Sequence, residues 1–328
     1  MNLARKHAYQ RNPFEGLYKW IPSLRKRRTQ GDFIQTAGAR KTANKLAKTF
    51  ARISSGNEQQ KLRQDQAMEE LDWTIDCLEV GNGPRITLRE FTQVMTNTKR
   101  KSSPGPDGLT YEMWRKVCEI ASIERDILEG LNDVLLSGDI PAEWKQALIY
   151  PVPKRNGEYR PISLLNTISK ILEKIVTTRL DRVLPARATQ FGCTKQRSTQ
   201  AALVRFLHQS SVAAEQGKYF GAISVDFSKA YDRVNRIKLI HKLIDQRASP
   251  YLVRFVHNWL KDRQNFVEFE GVRSESYTTT LGVPQGSAIS VALFKSYVQN
   301  CPVEDCRLNM FMDDILFWRK ASTYKELQ

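Results

Sequence analysis

The most constraining feature of this chain is a pair of adjacent aspartates between two apolar runs. The segment is Phe311-Met312-Asp313-Asp314, and apolar residues continue on both sides of it. Two short apolar segments with a short acidic break predict a tight β-hairpin that carries both carboxylates at its tip. Because Asp is common in turns, an ordinary Asp-Asp turn explains the segment equally well when it is considered alone.

Another aspartate lies at the end of a predicted strand, upstream of the Asp313-Asp314 pair. The alternating segment Ala222-Ile223-Ser224-Val225-Asp226 predicts a strand that ends on an aspartate. If Ile223 and Val225 face the core, Ser224 and Asp226 lie on the opposite face. Phosphoryl transfer to a hydroxyl uses two divalent ions about 4 Å apart, and Mg²⁺ prefers carboxylate oxygens. Three aspartates would supply such ligands if an antiparallel sheet brings the two segments together.

The charge of the chain is strongly positive and unevenly distributed. The formal net charge is +16, and residues 1–60 contain thirteen Lys or Arg against three Asp or Glu. This excess predicts a polyanionic partner, with nucleic acid ahead of a membrane surface because no apolar anchor accompanies it. A basic protein without such a partner is the alternative interpretation.

The remaining composition excludes several other classes. The five cysteines are scattered, and no Cys-x-x-Cys pair or Cys/His cluster is present, so neither a disulfide framework nor a zinc site is predicted. No apolar run approaches the length of a membrane span, and we find no secretory signal. We therefore expect an intracellular protein, in the nucleus or the cytoplasm.

Local patterns predict two parts, a basic and mostly helical lead-in over residues 1–84 and an α+β domain over residues 85–328. The lead-in contains the basic cluster Arg25-Lys26-Arg27-Arg28. In the domain, Asn156-Gly157 predicts a hairpin with Lys154 and Arg160 on facing arms, which suits a triphosphate or simply leaves two solvated charges. A basic loop that includes Arg197 precedes a helix N-terminus, an arrangement that suits contact with a phosphate backbone.

Six motifs occur in the order that is typical of one protein family. They are Ser103-Pro104-Gly105-Pro106-Asp107-Gly108, Tyr159-Arg160-Pro161-Ile162-Ser163-Leu164, Gln190-Phe191-Gly192 with Arg197-Ser198-Thr199, Val225-Asp226-Phe227-Ser228-Lys229-Ala230-Tyr231-Asp232, Gly282-Val283-Pro284-Gln285-Gly286-Ser287 and Phe311-Met312-Asp313-Asp314. With these motifs the chain resembles the reverse transcriptase domain of a non-LTR retrotransposon of the jockey-like and LINE-like kind. The resemblance implies the fingers and palm of a right-hand polymerase, with an antiparallel palm sheet.

The resemblance also implies an RNA-directed DNA polymerase that uses two Mg²⁺ ions, or Mn²⁺, with an RNA template, a DNA primer and dNTPs as partners. Its site residues would then have the following roles. Asp226 and Asp313 would ligate the metals, with help from the Phe227 carbonyl and from Asp314. Tyr231 would be the sugar gate, and Lys154 and Arg160 would bind the triphosphate. Gln285 and Gly286 would lie along the nucleotide and template, and Arg197 would contact the template.

Departures from the family pattern leave alternatives open. Cys193 stands where the family usually has an aromatic residue, and Met312 replaces the usual alanine before the paired aspartates. Only fourteen residues follow Asp314, so we expect a fragment without the thumb. An inactive relic that only binds RNA, a group II intron maturase and a viral RNA polymerase remain as rivals. Tyr231 and the Pro284-Gln285-Gly286 segment favour a reverse transcriptase over the viral enzyme.

Overall fold

The structure is a computed structural model that describes residues 37–55, 58–78, 83–99, 102–155, 157–184, 186–301 and 304–327. It has the mixed α+β composition that the sequence predicts. The basic cluster at residues 25–28 and the turn residue Asn156 lie outside the described residues, so their predicted roles stay predictions.

Helices and strands alternate along the described chain. The helices are α1 (Ala37–Ser55), α2 (Glu58–Cys77), α3 (Leu88–Thr96), α4 (Tyr111–Val117), α5 (Ala121–Ser137), α6 (Thr167–Val183), α7 (Thr199–Glu215), α8 (Arg236–Asp245), α9 (Pro250–Leu260), α10 (Ala288–Val298) and α11 (Tyr324–Leu327). The strands are β1 (Gln146–Pro153), β2 (Tyr159–Leu164), β3 (Tyr219–Asp226), β4 (Gln264–Phe269), β5 (Val272–Arg273), β6 (Tyr277–Thr278), β7 (Arg307–Phe311) and β8 (Asp314–Ala321). Short 3₁₀ turns cover Ala142–Lys145 and Tyr231–Arg233.

The strands form two sheets. The larger sheet has the order β2-β1-β4-β5, with β6 also paired to β4, and its β1–β4 pair is parallel. The smaller sheet, which we call the palm sheet, has the order β3-β8-β7 and is antiparallel throughout. The predicted hairpin around residue 157 is confirmed, because β1 and β2 pair antiparallel across it.

Helix α6 lies at the centre of the hydrophobic core. Its apolar positions recur at three- and four-residue spacing, which predicts one buried face, and the structure confirms it. Ile168, Ile171, Leu172, Ile175 and Val176 are between 0% and 2% exposed. Because α1 and α2 contribute Phe50 and Leu71 to the same core cluster, they pack onto the rest of the described chain. The predicted domain boundary at residue 84 remains a prediction.

Predicted helix caps are also confirmed. The Thr87 hydroxyl accepts a hydrogen bond from the Glu90 amide at 3.2 Å, and the Glu90 carboxylate accepts one from the Thr87 amide at 3.0 Å. This reciprocal pair is the capping box that the Thr-x-x-Glu spacing predicts. Ser198 caps α7 by accepting from the Ala201 amide at 3.1 Å.

One face of β3 is less buried than the alternating pattern suggests. Asp226 and Ser224 do lie on the face opposite Ile223 and Val225, as strand geometry requires. Ile223, however, is 68% exposed. The condition that Ile223 faces the core is therefore not met, because nothing in the described chain covers this side chain.

No helix in the described ranges combines the length and the apolar character that crossing a membrane would need.

Truncating a buried residue of α6 and an exposed residue of β3 should have different effects on stability. Ile171→Ala removes a fully buried side chain and should lower the free energy of unfolding by about 2–5 kcal/mol, whereas Ile223→Ala should change it by less than about 0.5 kcal/mol. Urea unfolding followed by circular dichroism measures both values. An equal loss for the two variants would mean that Ile223 is covered in solution.

Candidate active site

The three aspartates meet at one end of the palm sheet. Strand β3 pairs with β8 so that Asp226 lies directly opposite Asp314. Strand β7 pairs with the other edge of β8, with Phe311 opposite Asp314. Asp313 lies in the two-residue turn between β7 and β8, next to this pair. The sheet therefore joins residues that are almost ninety positions apart in the sequence.

The hairpin differs in one respect from the prediction. We expected both carboxylates at its tip, but the turn consists of Met312 and Asp313, and Asp314 is the first residue of β8. Because the ladder continues up to the Phe311–Asp314 pair, the tip has room for only one of the two aspartates. The other is held by the sheet and faces Asp226.

A neighbouring segment supports this turn. Met312 has a φ of +61°, a strained value for a residue with a side chain, and its amide donates to the Oε1 of Gln190 at 3.0 Å. The Phe191 amide donates to the Met310 carbonyl at 2.8 Å. Gly192 is required here, since a Cβ atom at this position would lie 2.7 Å from the Met312 nitrogen. The Gln190-Phe191-Gly192 motif thus positions the turn that carries Asp313.

The carboxylates repel one another. The pKa of Asp314 is raised, chiefly by burial and then by the negative charges of Asp313 and Asp226. Such a cluster is relieved by a cation between the carboxylates. Within the described residues no three His, Cys, Asp or Glu side chains converge closely enough to hold an ion by themselves. The oxygen donors nevertheless suit Mg²⁺, which usually binds through one or two carboxylates together with waters and substrate phosphates.

Phe227 and Tyr231 flank the acidic end of the sheet. Phe227, whose carbonyl is a predicted metal ligand, follows Asp226 directly, and its side chain is 45% exposed. Tyr231 stacks on Phe294 with ring centroids 4.6 Å apart and an interplanar angle of 13°. Burial raises the pKa of Tyr231, as do the nearby Cys193 and Asp313. The ring therefore packs against the core while it lies close to the acidic turn.

The loop that carries Gln285 and Gly286 is anchored to β2. The Ser163 amide donates to the Gln285 carbonyl at 2.6 Å. Gly286 has a φ of +116°, and a Cβ atom there would lie 2.6 Å from the Ser163 carbonyl oxygen. A side chain at position 286 would therefore force the loop away from β2.

Two acidic residues that sequence reasoning left without a role hold the same loop. The half-buried Asp232 accepts a hydrogen bond from Gln285 Nε2 at 2.9 Å. The fully buried Glu173 accepts from the Ser287 hydroxyl at 2.6 Å and from the Ala288 amide at 3.2 Å. A sequence signal existed for Glu173, because an acidic residue lies among the apolar positions of the buried face of α6.

The two predicted triphosphate ligands lie near the palm. Burial raises the pKa of Asp232, while the positive charges of Lys229, Lys154 and Arg160 oppose that rise. Lys154 Nζ lies 3.8 Å from Glu158 Oε2, and Lys229 Nζ lies 4.0 Å from Glu158 Oε1. The base of the β1–β2 hairpin thus brings basic side chains toward the residues that follow β3.

Arg197 is engaged inside its own loop. Its Nη1 donates to the carbonyls of Arg187 and Gln190 at 2.6 and 2.7 Å. These bonds indicate that it positions the segment that supports the Met312 turn. Its predicted contact with a template stays a prediction.

A large cleft opens beside this loop. It has a volume of about 850 Å³ and extends from Cys193 and Ala288 along α6. The charged residues that line it are mostly basic: Lys174, Arg182, Lys195, Arg197 and Lys295, against Glu90 and Asp181. One of these charges is neutralised, since Lys295 Nζ lies 3.0 Å from Asp181.

The chain is similar to known proteins over much of its length. A family model described as "Reverse transcriptase (RNA-dependent DNA polymerase)" matches residues 152–326. The chain is 28% identical over 241 residues to the RNA-directed DNA polymerase from mobile element jockey of Drosophila melanogaster, covering 70% of this chain and 26% of that protein. It is 29% identical over 222 residues to the Pol polyprotein of retrotransposable element R1 from Bradysia coprophila, covering 65% of this chain and 21% of that protein.

The chain spans about a quarter of the length of these curated relatives. Among solved structures it is similar to apo telomerase from Candida tropicalis, with a TM-score of 0.43 and 14% identity over 83% of this chain and 59% of that one. Because the family model covers more than half of the sequence, the chain belongs to the reverse transcriptase family.

Proposed function

We propose that the chain is the catalytic core of an RNA-directed DNA polymerase, which adds dNTPs to a primer 3′-hydroxyl on an RNA template. The observation that carries the proposal is the strand register that sets Asp226 opposite Asp314, with Asp313 in the adjoining turn. A strand-end aspartate beside an acidic hairpin offers the hard oxygen ligands that nucleotidyl transfer needs.

Asp226 and Asp313 would hold the metals, with the Phe227 carbonyl and Asp314 in support. Two divalent ions, when bound, would activate the primer hydroxyl and stabilise the pyrophosphate leaving group. The residues of the chain then supply positioning. Lys154 and Arg160 would bind the triphosphate as it enters from the hairpin side.

The geometry of the loop supports a fixed contact between Gln285 and the nucleotide or template. Asp232 accepts from Gln285 Nε2, so the amide is held with its nitrogen toward the carboxylate. Gly286 keeps the backbone of the loop close to β2. Tyr231, packed on Phe294, would present a rigid ring edge to the ribose and exclude a 2′-hydroxyl.

The basic cleft beside the Arg197 loop would accommodate the template strand. Its excess of basic residues suits contacts with phosphates, and such contacts are independent of sequence and weaken with salt. Lys195 is exposed in the same loop as Arg197 and has a freer side chain. We also propose that the protein acts inside the cell, in the nucleus or the cytoplasm.

Removing a metal ligand should abolish synthesis. With an RNA template, a DNA primer, dNTPs and Mg²⁺, we expect primer extension by the chain. Asp313→Asn should reduce its rate by about a hundredfold or more, because a ligand charge that stabilises the transition state is lost. Gel-resolved primer extension measures the rate, and Asp245→Asn, an exposed aspartate at the end of α8, is the matched control. Equal extension by Asp313→Asn and wild type would contradict the metal-ligand assignment. RNA binding without extension by wild type would support the relic instead.

Metal binding can be tested without catalysis. Mg²⁺ or Mn²⁺ should raise the midpoint of thermal unfolding of the wild-type chain, since a ligand that binds only the folded state stabilises it. The increase should be much smaller in Asp226→Asn. Because the folded-state pKa of Asp314 is raised, the native site holds its proton more tightly than the unfolded chain does. The stability that Asp314 contributes without metal therefore falls as pH rises through its raised pKa. The metal-induced increase in the unfolding midpoint should grow over the same range, because the carboxylate loses its proton there. A metal effect that is independent of pH or of Asp226 would speak against the site.

Sugar discrimination tests Tyr231. Tyr231→Ala should raise the use of rNTPs relative to dNTPs by about tenfold or more, because a ring that clashes with the 2′-hydroxyl is removed. Tyr231→Phe keeps the ring and its stacking on Phe294, so it should behave like wild type. The ratio of kcat/KM for the two nucleotides measures the effect. If the phenylalanine variant also lost discrimination, the hydroxyl rather than the ring would be responsible.

A further inference from the structure

A row of basic side chains follows the exposed face of α1, outside the candidate active site. Lys41, Lys45, Lys48 and Arg52 are all exposed. At 100° per residue these four positions fall within an arc of about 60°, and at 1.5 Å per residue they span about 16 Å. We call them the α1 basic stripe. Helix α1 contains no acidic residue at all.

The opposite face of α1 is fixed to the larger sheet. Ala39, Ala43, Ala47 and Phe50 are between 0% and 6% exposed, and the helix packs against β4, β5 and β6. The apolar side of the helix is therefore unavailable to a lipid bilayer, and only the charged side meets solvent. This arrangement favours a polyanion in solution over a membrane surface, since interfacial helices need an exposed apolar face.

The charges of the stripe are not balanced within the part of the protein that the structure describes. No ion pair involves any of the four side chains within the described ranges. Like charges three or four positions apart on a helix destabilise it, and a helix surface ordinarily mixes both signs. Residues 1–36 carry more positive than negative charge, since they contain eight Lys or Arg against two Asp or Glu.

The stripe begins near the candidate active site. The Ser54 carbonyl accepts hydrogen bonds from the amides of Thr280 and Leu281 at 3.2 and 2.9 Å. These residues lead directly into the loop that carries Gln285. Arg52 is thus the end of the stripe closest to the catalytic loop, and Lys41 is the distant end.

We propose that the α1 basic stripe is a second nucleic-acid surface, which binds the sugar-phosphate backbone of a strand that continues beyond the active site. Four cations in a row, which form no ion pair with the described residues, match a chain of phosphates, and side chains of this kind bind without regard to base sequence. The strand could be RNA or DNA, since both present the same phosphates. The inference concerns binding alone and does not require polymerase activity.

The test compares two variants of the full chain with equal charge change. One carries Lys41→Gln, Lys45→Gln, Lys48→Gln and Arg52→Gln. The control carries Lys116→Gln, Arg125→Gln, Lys218→Gln and Lys238→Gln, which are exposed basic residues on other elements. Fluorescence anisotropy with labelled single-stranded RNA, single-stranded DNA and duplex DNA measures Kd over a series of salt concentrations, without Mg²⁺ or dNTPs.

The stripe variant should bind at least one of these nucleic acids about tenfold more weakly than wild type. For a single strand, the slope of log Kd against log salt concentration should be smaller by about 3. The control should stay within about twofold of wild type. The strand whose binding changes most identifies the occupant. Neither variant should unfold far below the wild-type midpoint, because every substituted side chain is exposed.

Equal weakening in the two variants would overturn the proposal, because it would show a general charge effect. So would unchanged binding in both. Loss of binding to phosphatidylserine vesicles, with binding to all three nucleic acids retained, would assign the stripe to a membrane instead. Because binding is measured without Mg²⁺ or dNTPs, a failure of the polymerase proposal would not be mistaken for a failure of this one.

Discussion

The antiparallel pairing of β3 with β8 is the constraint on which the candidate site depends. Its register sets Asp226 opposite Asp314, and a shift by one residue would turn one of the two carboxylates to the other face of the sheet. The turn before β8 then sets Asp313 beside them. Three negative charges at one sheet end are unfavourable by themselves, as the raised pKa of Asp314 indicates. The backbone ladder holds them together in spite of that repulsion.

Buried polar contacts extend this constraint to the rest of the site. Gln190 binds the Met312 amide, so the strained turn is supported from the segment that precedes α7. Glu173 receives the Ser287 hydroxyl, the Ala288 amide and the Ser169 hydroxyl, which leaves the buried carboxylate well satisfied. A buried charge is tolerated when it is hydrogen-bonded in this way, and such a network favours one arrangement of the loop. The acidic sheet end and the Gln285 loop are therefore positioned by different residues.

Much of the fold follows from local patterns. The buried face of α6, the capping box at Thr87 and the β1–β2 hairpin were all predictable, because each depends on residues that are close together in the sequence. Contacts of the site residues were less predictable. The sequence indicated Arg197 as basic and available, but the guanidinium is bound by carbonyls of its own loop. Asp232 was visible only as part of a motif, and its bond to Gln285 joins residues 53 positions apart.

The sequence by itself determined the family, the order of the motifs, the identity of the acidic residues and the excess of basic charge near the N-terminus. These properties depend on residue type and local spacing, which the chain carries without folding. Only the tertiary structure decided that Asp314 faces Asp226 from within a strand, that Ile223 is exposed and that Glu173 supports the loop of Gln285. It also showed that the α1 basic stripe forms no ion pair with the described residues and that one end of it lies close to the segment that leads into the Gln285 loop. Such properties depend on which distant segments pack together, because burial and hydrogen-bond partners are set by the whole fold and not by neighbours in the chain.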